Sequence, residues 1–400
     1  MKWEYKTLDQ LGTVSRGKSK HRPRNDPKLF GGKYPFIQTA DVKNADYYIT
    51  KYSDTYNESG LAQSKLWDKG TLCITIAANI ADTGVLAFPA CFPDSIMGFV
   101  PFEGVANTRF IKYCFDRLQR DCKQISQGTA QDNLSWEKLS TIKFCIPEYK
   151  EQCRIADILS AYDDLIENNQ KQIKLLEEAA QRLYKEWFVD LRFPGYENTK
   201  IVDGVPEGWN ECTVESFGTV ITGKTPPTSN KEYYTNGKVP FVTIPDMHNV
   251  VYPLKTEKRL TIEGAQTQKN KYIPPNSVMI SCIGTVGLVS IATEVCQTNQ
   301  QINSIILNNE DDLYFFYESM LRMKDLLDGL GSNGATMTNV NKSKLEKLII
   351  ISPSKDIVKQ YNDVCKPLFE SALNLSRKNV YLKNMREALL PKLMSGEVEV

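Results

Sequence analysis

Arg16, Lys18, Lys20, Arg22 and Arg24 fall on every second residue of one short segment. In extended backbone, alternate side chains point to the same side, so this spacing lays five cations along a strip. Such a strip suits phosphate oxygens, whose neutralisation releases counterions. Residues 14–43 carry eight basic side chains and two acids. His21, Pro23 and Pro27 make the segment a loop rather than a buried strand. A merely solvated loop would share this composition, so the strip needs support from elsewhere. In the second half the basic residues are more dispersed: Lys224, Lys231, Lys255, Lys258, Arg259, Lys269 and Lys271 stand among Thr, Asn and Tyr.

Amide side chains are the second chemical signal. Gln297-Thr298-Asn299-Gln300-Gln301 offers groups that can pair bidentately with adenine edges. Gln127 to Asn133 and Thr336 to Asn341 are similar. Asn and Gln also serve as plain turn residues, but here such loops occur in both halves of the chain.

Catalytic patterns are missing. The only histidines, His21 and His248, stand in unmatched places. No GxxxxGK[ST] phosphate loop occurs, nor a GxGxxG after a strand. The Asn-Pro-Pro-Phe and Asp-Pro-Pro-Tyr tetrapeptides of amino-methyltransferases are absent too. Pro93-Asp94 followed by Asp121-Cys122-Lys123 is nuclease-like, but it has no counterpart in the second half and such short patterns arise by chance. The ten cysteines form no CxxC, so metal-ligand spacing is lacking. In a reducing compartment they read as buried thiols. No metal site is expected.

These residues sit in a chain of 400, with 41% apolar and 24% charged side chains and a net charge of +1. That is ordinary for a soluble globular protein and excludes a uniformly basic coat. No apolar run reaches the ~18 residues of a membrane span, and the start, Met1-Lys2-Trp3-Glu4-Tyr5-Lys6, lacks a signal-peptide core. A cytoplasmic protein without membrane contact is expected.

The chain repeats itself at a fixed spacing. With a shift of 206, Trp3, Thr7, Gly12, Thr13, Val14, Gly17 and Lys18 meet Trp209, Thr213, Gly218, Thr219, Val220, Gly223 and Lys224. With a shift of 205, Pro35-Phe36-Ile37 meets Pro240-Phe241-Val242, and Asp41 meets Asp246. Leu72–Thr75 resembles Val278–Ser281, and Gly128–Pro147 matches Gly334–Pro353. The protein is therefore a tandem duplication. The first part of each unit reads as mixed and mostly β, with short β-branched and aromatic runs broken by Gly, Pro and Asn. One helix is expected at about 107–123 and a counterpart at about 311–328.

The second part of each unit reads as one long helix. Apolar positions alternate in steps of four and three: Ile155, Leu159, Tyr162, Ile166, Asn169, Ile173, Leu176, Ala180, Leu183 and Trp187. The second run is Val358, Tyr361, Cys365, Leu368, Ala372, Leu375, Asn379, Leu382, Arg386 and Leu389. Each is a heptad seam interrupted by an Asn, which would fix register. Two such seams in one chain are expected to pair with each other rather than each with its own β domain. Pro367 is expected to kink the second helix or to mark where its continuous part begins. The first helix is acidic, with nine acids and five bases over residues 151–190, so the β-rich parts are the expected DNA-facing ones. The expected layout is a first β-rich domain over 1–150, a first long helix over 151–188, a connector over 189–208, a second β-rich domain over 209–354, and a second long helix with a tail over 355–400.

The connector Trp187-Phe188-Val189 … Phe193-Pro194-Gly195 … Val205-Pro206-Glu207-Gly208-Trp209 carries a resemblance. So does the tail Leu389-Leu390-Pro391-Lys392-Leu393-Met394-Ser395-Gly396-Glu397. The domain openings, Gly17 to Asp41 with Tyr34-Pro35-Phe36-Ile37, and Gly223-Lys224-Thr225-Pro226 to Asp246, agree, as does the order domain, helix, domain, helix. The chain resembles the specificity (S) subunit of type I restriction-modification systems. The fold so expected is α+β: a tandem duplication of a mostly β target recognition domain followed by a long helix, the two helices pairing as an antiparallel coiled coil.

The resemblance implies a subunit that is not itself catalytic and binds no cofactor. Each domain would read one half of a bipartite, asymmetric double-stranded DNA site. Two modification subunits would use S-adenosylmethionine to methylate an adenine in each half, and two restriction subunits would use ATP and Mg for cleavage. Backbone contacts then fall to Arg16, Lys18, Lys20, Arg22, Arg24 and Lys43, and to Lys224, Lys231 and Lys258. Base reading falls to Gln38 and Thr39 after the Pro-Phe-Ile strand, to Thr243 at the equivalent place, and to Gln131, Asn133, Asn299, Gln300, Gln301, Thr338 and Asn339. The alternatives are a coiled-coil scaffold whose β domains bind protein, a recognition module serving a methyltransferase-nuclease fusion, and a stand-alone nuclease.

Overall fold

The computed structural model describes residues 3–76, 82–125, 136–331 and 339–400. It divides into two compact units, residues 1–167 with 381–400, and residues 168–380. Each unit therefore contains one β-rich domain and a segment of both long helices.

In the first unit, β1 (Gly12–Arg16), β2 (Tyr48–Ile49), β3 (Leu72–Thr75), β4 (Thr83–Leu86) and β5 (Ile96–Pro101) form a sheet of order β1-β5-β3-β4-β2. All pairs are antiparallel except the edge pair β4–β2. In the second unit, β6 (Gly218–Thr222), β7 (Val278–Ser281), β8 (Val289–Ile291) and β9 (Ile302–Leu307) give the order β6-β9-β7-β8. This repeats the first sheet without its edge strand. The matched glycines that open these sheets have a common cause. A Cβ on Gly12 would stand 2.4 Å from the Val100 carbonyl oxygen, and one on Gly218 2.1 Å from that of Ile306.

The first domain's helix, α1 (Thr108–Ile125), starts where Asn107 Oδ1 accepts from the backbone N–H groups of Arg109 and Phe110 at 2.9 and 3.2 Å. The first of the two long helices, α2, runs Tyr149–Tyr184 and ends in a π-helical turn at Lys185–Val189. The second domain's helix splits in two, α3 (Leu313–Arg322) and α4 (Lys324–Gly331), where one was expected. The last helix, α5, runs Lys355–Ser395. It does not begin at Pro367, which is exposed and lies within it.

The two long helices are antiparallel in each unit. In the second, Asn169 meets Asn379 and Tyr361 donates to the Ala180 carbonyl at 3.2 Å. In the first, Asp163 pairs with Arg386. Of the seam residues, Ile155, Leu159, Ile166, Asn169, Asn379 and Leu382 are buried. Tyr162, Ile173, Leu176, Leu183, Trp187, Leu368, Leu375 and Leu389 are half-buried. The helix ends belong to the domain cores. Ile155, Ala156 and Leu159 share a cluster with Phe99, Phe110, Phe115, Leu390 and Leu393. Ala180, Tyr184, Tyr361 and Phe369 share another with Ile280, Ile305, Phe315 and Phe316. Pairing with the other helix and packing on a β domain, set apart as alternatives by the sequence, occur together.

Candidate DNA interface

Both domains build the same loop pair. After the first sheet strand, Gly17 N–H bonds the Ile96 carbonyl at 2.8 Å and Lys18 N–H the Phe92 carbonyl at 3.0 Å. In the second domain Gly223 N–H bonds Ile302 at 3.0 Å and Lys224 N–H bonds Thr298 at 2.9 Å. Only glycine fits: a Cβ on Gly17 would lie 2.3 Å from the Phe92 oxygen, and on Gly223 2.2 Å from that of Asn299. A side chain from the following loop then secures each lysine's own carbonyl. Ser64 Oγ donates to Lys18 at 2.7 Å, and Gln268 Nε2 to Lys224 at 2.7 Å. Ser64 and Gln268 stand out only once the backbone is known.

The basic strip holds for its first three members. Arg16, Lys18 and Lys20 are exposed and alternate with buried Gly17 and Ser19. None of these three side chains makes a hydrogen bond or ion pair among the described residues. The chain then turns, which corrects the expected row of five. Arg22 folds back and donates to the Ser19 and His21 carbonyls at 2.6 and 2.8 Å. Arg24 pairs with Asp94 at 2.7 Å. Asp26 caps the turn at Pro27–Leu29; the Lys28 N–H, with His21 beside it, holds its carboxyl below the usual range. Asp94, half of the nuclease-like pattern, is thus a partner for Arg24.

A short helix follows the Pro-Phe strand in each domain, Thr39–Lys43 and Ile244–Met247. Gln38 and Thr243 cap them, and each backbone N–H donates to Oδ2 of the matched Asp41 or Asp246 at 2.8 Å. The second carboxylate oxygen holds the next loop, through Ser53 Oγ at 3.3 Å or Glu257 N–H at 2.8 Å. Gln38 is exposed but donates to Asp54 at 2.5 Å. Thr243 Oγ1 is bound to Asp246 at 2.7 Å. Thr39 is half-buried in the first helical turn, and Lys43 is exposed in the last.

The second domain gathers most of its expected residues around one loop. Asn299 N–H bonds the Val242 carbonyl, next to Thr243, at 3.3 Å. Thr225 Oγ1, after Lys224, donates to Gln300 at 2.6 Å. Gln301 reaches the Ile283 carbonyl at 3.5 Å, and Ile283 bridges to exposed Asn339. Within this group Asn299 Nδ2 donates to Gln301 Oε1 at 2.9 Å, and Gln301 N–H to Asn299 Oδ1 at 3.1 Å. Those two amides hold each other, and Gln300 is the exposed one. Gln297 is fully buried and bonds Ala265 and Gln268, so it is structural. Lys224, Lys231 and Lys258 are exposed; Lys231 opens a short helical turn and Lys258 lies on the strand paired with Phe241. Gln131, Asn133 and Thr338 lie outside the described residues. Among the described residues no group of three or more His, Cys, Asp or Glu side chains is placed to hold a metal. No helix there is long and apolar enough to cross a membrane.

Comparison with known proteins defines the class. The type I restriction modification DNA specificity domain matches residues 1–178 and again 206–380. The chain belongs to this family, as a specificity subunit with two target recognition domains. It is 35% identical over 326 residues to the HindI specificity subunit of Haemophilus influenzae, covering 66% of this chain and 71% of that one. It is 28% identical to the MjaIX specificity subunit of Methanocaldococcus jannaschii over 100% of this chain and 94% of that one. Its fold is that of the S subunit from M. genitalium, with a TM-score of 0.56 and 16% identity over 98% and 96% of the two chains.

Proposed function

We propose that each β-rich domain reads one half of a bipartite, asymmetric DNA sequence, and that the paired helices act as the spacer between the halves. The observation that carries this reading is the loop pair built twice on the same hydrogen bonds, with exposed cations at Arg16, Lys18 and Lys20 in one copy and at Lys224 in the other. Cations position the duplex, and polar side chains beside them specify bases. Gln300, held by Thr225 beside Lys224, and Asn339 in the second domain, with Gln38 in the first, are the exposed polar groups offered for base reading.

In this reading the chain is not itself catalytic. Two modification subunits, using S-adenosylmethionine, methylate an adenine in each half, and two restriction subunits, using ATP and Mg, cleave. The work takes place in the cytoplasm. Exposed apolar side chains on the long helices support partner docking there: Ile158, Tyr381 and Met385 in the first unit, Leu175 and Val364 in the second. The experiment is to insert two heptads into both helices together. The unread spacer of the methylated site lengthens; an unchanged spacer removes the helices as ruler.

A further inference from the structure

The two domains are fastened to the long helices by different chemistry. In the first unit, Tyr113 on α1 donates its hydroxyl to Oδ2 of Asp163 on α2 at 2.5 Å. Arg386 on α5 pairs with Oδ1 of the same carboxylate. Asp163 is 3% exposed and Tyr113 fully buried. One carboxylate thus joins the domain helix to both long helices. Further polar links surround it. Arg109 donates to Ser160 at 2.6 Å, Tyr48 to Asp164 at 3.0 Å, and Lys383 to Asp46 at 2.7 Å.

The shift of 206 carries Tyr113, Asp163 and Arg386 onto Ser319, Phe369 and Ala180. There the ion pair is absent. Phe369 stacks on Tyr314 at 4.4 Å and meets Tyr317 edge-on at 5.5 Å. Ala180 and Phe369 lie in one buried cluster. Ser319 bonds the Tyr184 hydroxyl at 2.9 Å. The second unit shows that the fold accepts an apolar solution at these positions. A buried ion pair is seldom the more stable choice, because both groups lose hydration. It differs from a ring stack in direction: a carboxylate holding a hydroxyl on one oxygen and a guanidinium on the other fixes an angle.

We infer that Asp163 and Arg386 are positioning residues that set the angle of the first recognition domain on the helix pair, and so present its half of the DNA site for methylation. This rests on the function proposed above. Neither residue touches DNA in this scheme.

The test uses the full chain with its cognate modification subunits, and measures adenine methylation of each half-site together with the melting temperature. The variant Tyr113→Phe, Asp163→Phe and Arg386→Ala installs the second unit's Phe and Ala and removes the hydroxyl that would otherwise be left buried without a partner. It melts close to the wild type, while methylation of one half-site falls ~10–100-fold, the scale of a misplacement near 1 Å. The other half-site is unaffected. A variant that melts like the wild type and methylates both halves at the wild-type rate overturns the inference, and so does an equal loss at both. Should this variant not fold, Arg386→Lys keeps the charge but loses the planar fork; it shifts the ratio of the two half-site rates, and an unshifted ratio overturns the inference. A wild-type complex that methylates without half-site specificity overturns the proposed function itself, a result distinct from both.

Discussion

Asn169 Nδ2 donates to the side-chain Oδ1 of Asn379 at 2.8 Å, on the buried face where the two long helices meet. The residues are 2% and 8% exposed. An apolar seam can slide by a heptad at little cost, but a buried amide pair is satisfied in one register only. Replacing Asn169 alone by Leu leaves the Asn379 amide without its partner and destabilises by ~1–3 kcal/mol. Replacing both by Leu raises the melting temperature instead and loosens register. Disulfide trapping between cysteines placed across the helices then captures more than one pairing, where the wild type gives one.

Gly17→Ala and Gly223→Ala each push a methyl group into a backbone carbonyl that cannot yield. Each destabilises by about 1–3 kcal/mol, as overpacking does. Each also displaces the adjoining lysine, so DNA affinity falls at one half-site. Melting curves and binding to half-site duplexes check this; an unaltered melt for both would mean the loops move freely.

Arg16, Lys18 and Lys20 changed together to Ala weaken DNA binding for all sequences alike. The slope of log K against log salt drops by about 2–3, at roughly 0.9 for each phosphate left without its cation. Arg22→Ala changes the slope by much less, since its guanidinium is engaged by the Ser19 and His21 carbonyls. Titrations at several salt concentrations separate the two.

Glu318 is 1% exposed in α3, and burial pushes its carboxyl up to about 8. Arg322 beside it opposes the rise, and Glu177, itself pushed up to about 7 by burial, adds to it. The folded chain therefore holds protons that the unfolded chain has released above about 4.5. Stability is greatest at low pH in this window and declines as pH rises toward about 8. Glu318→Gln flattens that decline, and melting temperatures from about pH 5 to about pH 8 measure it.

Repetition made the architecture legible. Gly12, Gly17 and Asp41 recur in the second half because backbone closeness and a capping carboxylate are required twice, and such needs leave identical residues at a fixed spacing. The heptad seams were legible for the same reason. Pairing among polar side chains was not. Nothing in a run of Gln and Asn tells that Asn299 and Gln301 hold each other while Gln300 points out. Nor does alternation reveal that the chain turns after Lys20, so that Arg22 and Arg24 are engaged within the domain. Asp163 lies beside the predicted seam position Tyr162, yet it is the one buried, because Tyr113 and Arg386 complete it from elements far apart in sequence.

The central claim is that this chain directs where adenine is methylated. Genome-wide methylation mapping in cells expressing the cognate modification subunit, with and without this chain, tests it most directly. A two-part asymmetric motif present only when the chain is expressed is the predicted result. An identical methylation pattern without it would contradict the claim.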